Sequence, residues 1–138
     1  MSDAADAGGD GAIGNDDRVR EFTAFRQRMN ERILAEPNQV VRRFFALDTQ
    51  AYQGGALDVK TKELLGLVAS LVLRCDDCIS YHVAQCRGAG VGRDEMFEAF
   101  SVGLVVGGSI VIPHLRRAVD FLDRLEQGGD APTVHEHA

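Results

Sequence analysis

The chain has 138 residues, of which 45% are hydrophobic and 26% charged, with 15 basic and 21 acidic side chains and a formal net charge of −6. A chain of this length supports one domain that buries roughly two thirds of its unfolded surface. The balance is that of a soluble globular protein, and it excludes a wholly disordered, collagen-like or disulfide-dense secreted chain. The acidity belongs to the ends. Residues 1–17 hold five Asp, residues 127–138 hold Asp130 and Glu136, neither end holds a base, and residues 18–126 carry +1. No basic stripe of the kind a nucleic-acid binder uses is present, so no nucleic-acid partner is expected.

These shifts divide the chain into a disordered acidic tail over 1–17, a helical domain over 18–126 and a flexible tail over 127–138. The first tail lacks the positive start and apolar run of a secretory signal. The longest apolar-rich run, 100–115, is interrupted by Ser101, Ser109, Pro113, His114 and several glycines. A spanning helix takes about 20 apolar residues, so no membrane segment is expected and the protein reads as cytoplasmic. Three cysteines in a reducing compartment point to metal ligands, redox-active thiols or core filler rather than a disulfide framework.

The long stretches between turn signals predict helices. Asp16–Asp17 offers an N-cap for the first, over about 18–35, with Val19, Phe22, Phe25, Met29 and Ile33 at steps of three and four. Pro37 suits the first turn of a second, through Val40, Val41, Phe44, Phe45 and Leu47, which stops before Gly54–Gly55. Asp58 caps a third, containing Glu63, Leu64, Leu67, Val68, Leu71 and Val72. A fourth runs over about 76–89, and a fifth from Gly92 or Asp94 to about Gly107–Gly108. The sixth, over about 109–125, contains Pro113, which kinks it or marks its true start. Strand signals are weak. The expectation is an all-α domain of about six helices. Gly103 and Gly107, four apart, allow close backbone approach, either inside one subunit or between subunits.

The segment that carries chemistry is Cys75-Asp76-Asp77-Cys78-Ile79-Ser80-Tyr81-His82. Cysteines three apart at a helix start share a face. The partial positive charge and free N–H groups there stabilise a thiolate, and can lower a thiol pKa from about 8.5 into roughly the 3.5–7.5 range. Asp76 and Asp77 work partly against this. His82, one turn after Cys78, can take or return the thiol proton. Glu63 stands in an apolar stretch. It is either a solvated first-turn acid or a buried carboxylate that needs a partner, and folding of the third and fourth helices at Arg74 could bring it to His82 or Cys78. Cys75, Cys78, His82 and Cys86 have zinc-type donors. On a helix, however, Cys78 and Cys86 stand about 12 Å apart along the axis, too far for bonds of about 2.0–2.3 Å to one metal. Cys86 reads as core filler; His114, after Pro113, could line a pocket but reads first as a solvated or core-satisfied histidine. Thioredoxin would need a βαβ setting, and none is visible. No metal and no cofactor is expected.

Glu63, eleven residues, then Cys75-x2-Cys78-x3-His82 resembles the signature of the alkylhydroperoxidase D-like proteins of the carboxymuconolactone decarboxylase superfamily. Arg87-Gly88-Ala89-Gly90-Val91 and Asp94-Glu95-Met96-Phe97-Glu98-Ala99 are similar to that family too, and the resemblance covers roughly 57–125. It implies the alkylhydroperoxidase D-like helical fold, assembled as a homotrimer or homohexamer. It implies a thiol-dependent peroxidase or disulfide reductase in which Cys78 attacks a peroxide or other small oxidant and passes through a sulfenic acid. Cys75 then resolves it to a Cys75–Cys78 disulfide, with Glu63 and His82 as proton relay. The implied reductant is a dithiol donor such as a lipoyl carrier protein, and a peroxiredoxin is a further implied partner. Two rivals remain beside it. One is a lyase of the carboxymuconolactone decarboxylase type, acting on a small ring acid through His82 and Glu63. The other is a non-enzymatic oligomeric binding protein with structural cysteines.

Overall fold

The structure, a computed structural model, describes residues 11–128, with side chains from residue 17 onward. Six helices follow in order: α1 Gly11–Leu34, α2 Gln39–Ala51, α3 Val59–Leu73, α4 Asp76–Gly88, α5 Arg93–Gly107 and α6 Ile112–Gln127. No strand occurs among the described residues. Residues 1–10 and 129–138, most of the two expected tails, lie outside them.

Two helix starts differ from expectation, and a third settles between two expected alternatives. The first helix begins at Gly11, so Asp16 and Asp17 lie inside it rather than capping it. Once a helix exists, each further residue gains a hydrogen bond without a new nucleus, and no proline blocks the backward extension. The second helix is capped by Asn38, whose side chain accepts from the Val41 N–H at 3.0 Å. Pro37 therefore precedes the cap instead of entering the first turn. Pro113 lies in the first turn of α6, after a single 3-10 turn at Ser109–Val111, and marks a start rather than a kink. Asp58 caps α3 as expected, accepting from the Thr61 N–H at 2.7 Å.

α3 packs against both α4 and α5, α4 against α6, and α6 against α1. Leu67 and Leu71 of α3, Ile79 and Val83 of α4, Met96 and Phe100 of α5 and Phe121 and Leu122 of α6 are fully buried. Each such side chain contributes roughly 1.5–3 kcal/mol. Phe22 meets Phe121 edge-on, ring centroids 5.5 Å apart, and so ties α1 to α6. Gly103 and Gly107 are used within the chain. A methyl on Gly103 would stand 3.2 Å from Leu71 Cδ1, and one on Gly107 would run into Val111.

α2 buries none of its residues, and Val40, Phe44 and Leu47 are exposed. Its C-terminal end is nevertheless held. Lys62 Nζ donates to the carbonyls of Ala51 (2.9 Å) and Gln53 (2.6 Å), a cation placed where the helix dipole favours one.

Between α3 and α4 the chain reverses at Arg74, the one non-glycine residue with positive φ (59°) among those described. The Cys75 N–H donates to the Ser70 carbonyl and the Arg74 N–H to that of Leu71, which is the Schellman pattern. This tight closure folds α4 back along α3 and leaves Cys75 as the N-cap of α4.

Candidate active site

Cys75 and Cys78 are joined by a disulfide, with Cα atoms 5.2 Å apart, at the N-terminus of α4. The Cys78 N–H donates to the Cys75 sulfur at 3.3 Å, so one of the free amides of the first turn is aimed at sulfur. Cys78 is exposed and Cys75 half-buried. His82, one turn deeper, is buried, and Glu63 is 0% exposed. Glu63 is therefore the buried carboxylate with a partner, not the solvated acid. An ionised carboxylate only accepts, so His82 Nδ1–H donates to Glu63 Oε2, at 2.9 Å. The residues singled out in the sequence thus meet as two pairs, Cys75 with Cys78 at the start of α4 and Glu63 with His82 across the α3–α4 contact.

Their surroundings set the chemistry. Cys78 and His82 line one cavity of about 710 Å³ with Asp77 and Tyr81 of α4, Phe22, Phe25 and Met29 of α1, and Asp48 of α2. That volume is in the range of small-molecule sites. Arg26 of α1 stacks its guanidinium 3.8 Å from the centroid of the Tyr81 ring. Tyr52, the C-cap of α2, places its hydroxyl 3.5 Å from His82 Nε2.

Asp76, next to Cys75, is not left to act on the sulfurs alone. His114 Nδ1 donates to its Oδ1 at 2.7 Å and Arg117 to its Oδ2 at 3.1 Å, both from α6. Cys86 is fully buried, and its thiol is pushed up to about 12, first by burial and then by the Glu63 charge. A thiol so raised stays protonated and inert at neutral pH.

Residues 38–121 match the model of the carboxymuconolactone decarboxylase family, more than half of the chain. The chain belongs to that family. Among curated proteins it is 30% identical over 83 residues to the uncharacterised protein 4 in the cox locus of Paracoccus denitrificans, covering 60% of this chain and 75% of that one. It is 27% identical over 75 residues to an uncharacterised Cupriavidus necator protein, covering 54% and 66%. Among solved structures it resembles TM1620 of Thermotoga maritima at TM-score 0.77 and 55% identity, covering 79% of this chain and 96% of that one. A second crystal structure, at TM-score 0.74 and 54% identity over 79% and 95% of the two chains, describes TM1620 as a carboxymuconolactone decarboxylase family protein with a suggested involvement in antioxidative response. A Legionella pneumophila protein of the same family, lpg0406, matches at TM-score 0.55 and 26% identity over 88% and 100% of the two chains. As a carboxymuconolactone decarboxylase family chain, this one shares their helical fold.

Tyr52, Gly66 and Arg117 around the site carry no signal that the sequence analysis singled out, and His114, read there first as solvated or core-satisfied, is held by Asp76. A methyl on Gly66 would stand 2.6 Å from His82 Cε1 and 2.7 Å from the Tyr52 hydroxyl. A glycine inside the apolar run of α3 was the available signal, because it marks close approach of another group. Nothing along the chain links Tyr52 to His82, thirty residues on.

Proposed function

We propose that this protein is a thiol-dependent peroxidase and disulfide reductase of the carboxymuconolactone decarboxylase family. One observation carries the reading. The exposed Cys78 sulfur, bonded to Cys75, shares a cavity with His82, whose second ring nitrogen rests on the buried Glu63 carboxylate.

In the reduced protein, the Cys78 thiol passes its proton to His82 Nε2, and Glu63 stabilises the imidazolium through Nδ1. The Cys78 thiolate attacks one peroxide oxygen. The S–O bond forms as the O–O bond breaks, the departing oxygen takes the proton from His82 as an alcohol or water, and Cys78 is left as a sulfenic acid. The Cys75 thiol then attacks that sulfur. The disulfide forms, and the sulfenic oxygen leaves as water with the Cys75 proton. A dithiol donor, such as a lipoyl group on a carrier protein, returns two electrons and two protons and becomes a disulfide itself. A peroxiredoxin can accept the reducing equivalents in turn. The suggested antioxidative involvement of TM1620 supports this class of chemistry.

The same reading includes a cytoplasmic location and a homotrimeric or homohexameric assembly. The exposed Val102, Val105 and Val106 of α5 and Val40, Phe44 and Leu47 of α2 favour the latter. Among the described residues, no helix is long and apolar enough to cross a membrane.

The test is peroxide consumption with a dithiol reductant. Cys78→Ser abolishes it, and Cys75→Ser retains one turnover and traps a sulfenic acid or mixed disulfide. Undiminished turnover of a ring-acid substrate by the Cys75→Ser/Cys78→Ser double variant, without peroxide consumption by the natural chain, would instead establish the lyase.

A further inference from the structure

The mechanism above uses both nitrogens of His82, yet accounts for the orientation of only one. Tyr52 Oη lies 3.5 Å from Nε2, the nitrogen that must receive the Cys78 proton, and its ring stands 5.5 Å from the imidazole at a 34° tilt. The hydroxyl and the imidazole edge converge over Gly66, where a side chain would fall 2.7 Å from Tyr52 Oη and 2.8 Å from His82 Nε2. The place a Cβ would take is thus given over to the Tyr52–His82 contact. Tyr52 is held at its own end as well: it caps α2, and Lys62, adjacent to Glu63 in sequence, clamps the flanking Ala51 and Gln53 carbonyls. A helix that buries none of its residues is thereby fastened at the point that delivers one hydroxyl to the site.

We propose that Tyr52 is a positioning residue for the thiol chemistry, its hydroxyl holding His82 Nε2 in both protonation states of the ring. The inference rests on the function proposed above and adds a fifth residue to its machinery. A hydroxyl is both donor and acceptor. It donates to the single lone pair of Nε2 while the imidazole is neutral at rest and Nδ1–H is engaged by Glu63, and turns its proton away as the Cys78 proton arrives. It accepts from Nε2–H once the ring has taken the thiol proton. The hydrogen bond made by one ring nitrogen sets the tautomer of the other, so Glu63 and Tyr52 together select the Nδ1–H form that can act on Cys78. Burial, followed by the carboxylate charges of Glu63 and Asp48, holds the Tyr52 phenol above its ordinary range, and the hydroxyl keeps its proton across working pH.

The test uses the full, reduced chain. The rate of Cys78 alkylation by iodoacetamide is followed by peptide mass spectrometry as a function of pH, alongside peroxide turnover, for the natural chain, Tyr52→Phe and His82→Ala. Tyr52→Phe keeps the ring and removes the hydroxyl. It is expected to slow Cys78 alkylation at neutral pH about threefold to tenfold, in keeping with the loss of one ordinary hydrogen bond, to move the pH midpoint upward, and to lower kcat with KM unchanged. If Tyr52→Phe matches the natural profile while His82→Ala displaces it, the Tyr52 inference is overturned and the proposed function stands. If His82→Ala leaves the profile in place too, the relay itself is wrong. A second readout needs no variant. The ring-nitrogen NMR shifts of His82 in the natural chain are expected to report the Nδ1–H tautomer, and an Nε2–H tautomer in the neutral ring contradicts the inference.

Discussion

His82 donates its Nδ1 proton to the Glu63 carboxylate at 2.9 Å, across the α3–α4 contact, with Glu63 fully buried and His82 nearly so. With Nδ1 so engaged, Nε2 is the ring nitrogen left to act as base, and His82 shares its cavity with Cys78. Glu63→Gln keeps the shape and removes the charge. The Gln amide then donates to Nδ1, which drives the proton onto Nε2 and leaves the wrong tautomer facing the thiol. Peroxide turnover is expected to fall by roughly 10²–10⁴-fold, the range for loss of general-base action, with the helical circular dichroism signal retained. Turnover within a factor of two of the natural chain would remove Glu63 from the relay.

Gly66 reverses an ordinary rule. Within a helix, Gly→Ala normally stabilises by about 1 kcal/mol. Here the added methyl would meet His82 Cε1 at 2.6 Å and the Tyr52 hydroxyl at 2.7 Å. Gly66→Ala is therefore expected to destabilise the fold by about 1–3 kcal/mol, the usual cost of overpacking, and to slow Cys78 alkylation. Urea denaturation checks the first effect and mass spectrometry the second.

Cys86 gives the fold a pH dependence on the alkaline side. Burial raises its thiol from 9.0 to about 12 in the folded chain. Above about pH 9 the unfolded chain loses this proton while the folded chain keeps it, so the unfolded state binds fewer protons and stability falls as pH rises. The slope is about 1.4 kcal/mol per pH unit until the folded thiol ionises. Cys86→Ala removes this contribution. Although less stable at pH 7 for want of packing, it is expected to lose less stability than the natural chain between pH 9 and pH 11, as read by urea midpoints. The native Cys86 is also expected to resist iodoacetamide at pH 8 and to react only on unfolding.

Asp76 tests how the fold handles an acid beside a reactive sulfur. His114 and Arg117 hold its two oxygens. Arg117→Ala withdraws one cation, leaves Asp76 with His114 alone, and is expected to raise the pH midpoint of Cys78 alkylation by up to about one unit, because a less compensated carboxylate opposes a thiolate. Asp76→Asn added to Arg117→Ala should restore the midpoint. Equal midpoints in all three chains would show that Asp76 does not act on the thiol.

Much of the architecture was legible because it rests on local rules. Periodic apolar residues, Asp58 as a cap and the three- and four-residue spacing of Cys75, Cys78 and His82 predict six helices and put the site on the start of the fourth. Glu63 was ambiguous, since a first-turn acid and a buried one look alike along a chain. Its partner His82 is nineteen residues away, and only the left-handed turn at Arg74 brings the two together. Tyr52 was illegible, and the partner of His114 with it, for the same reason: each contact is made across a helix interface. The early start of α1 escaped because helix extension depends on downstream order rather than on a capping residue.

The most direct measurement is a thiol count and disulfide map of the reduced protein after one equivalent of peroxide. The account predicts that two of the three thiols disappear, that Cys75 and Cys78 form a single linked peptide, and that Cys86 remains free. A bridge that includes Cys86, or three intact thiols after the peroxide has been consumed, would contradict it.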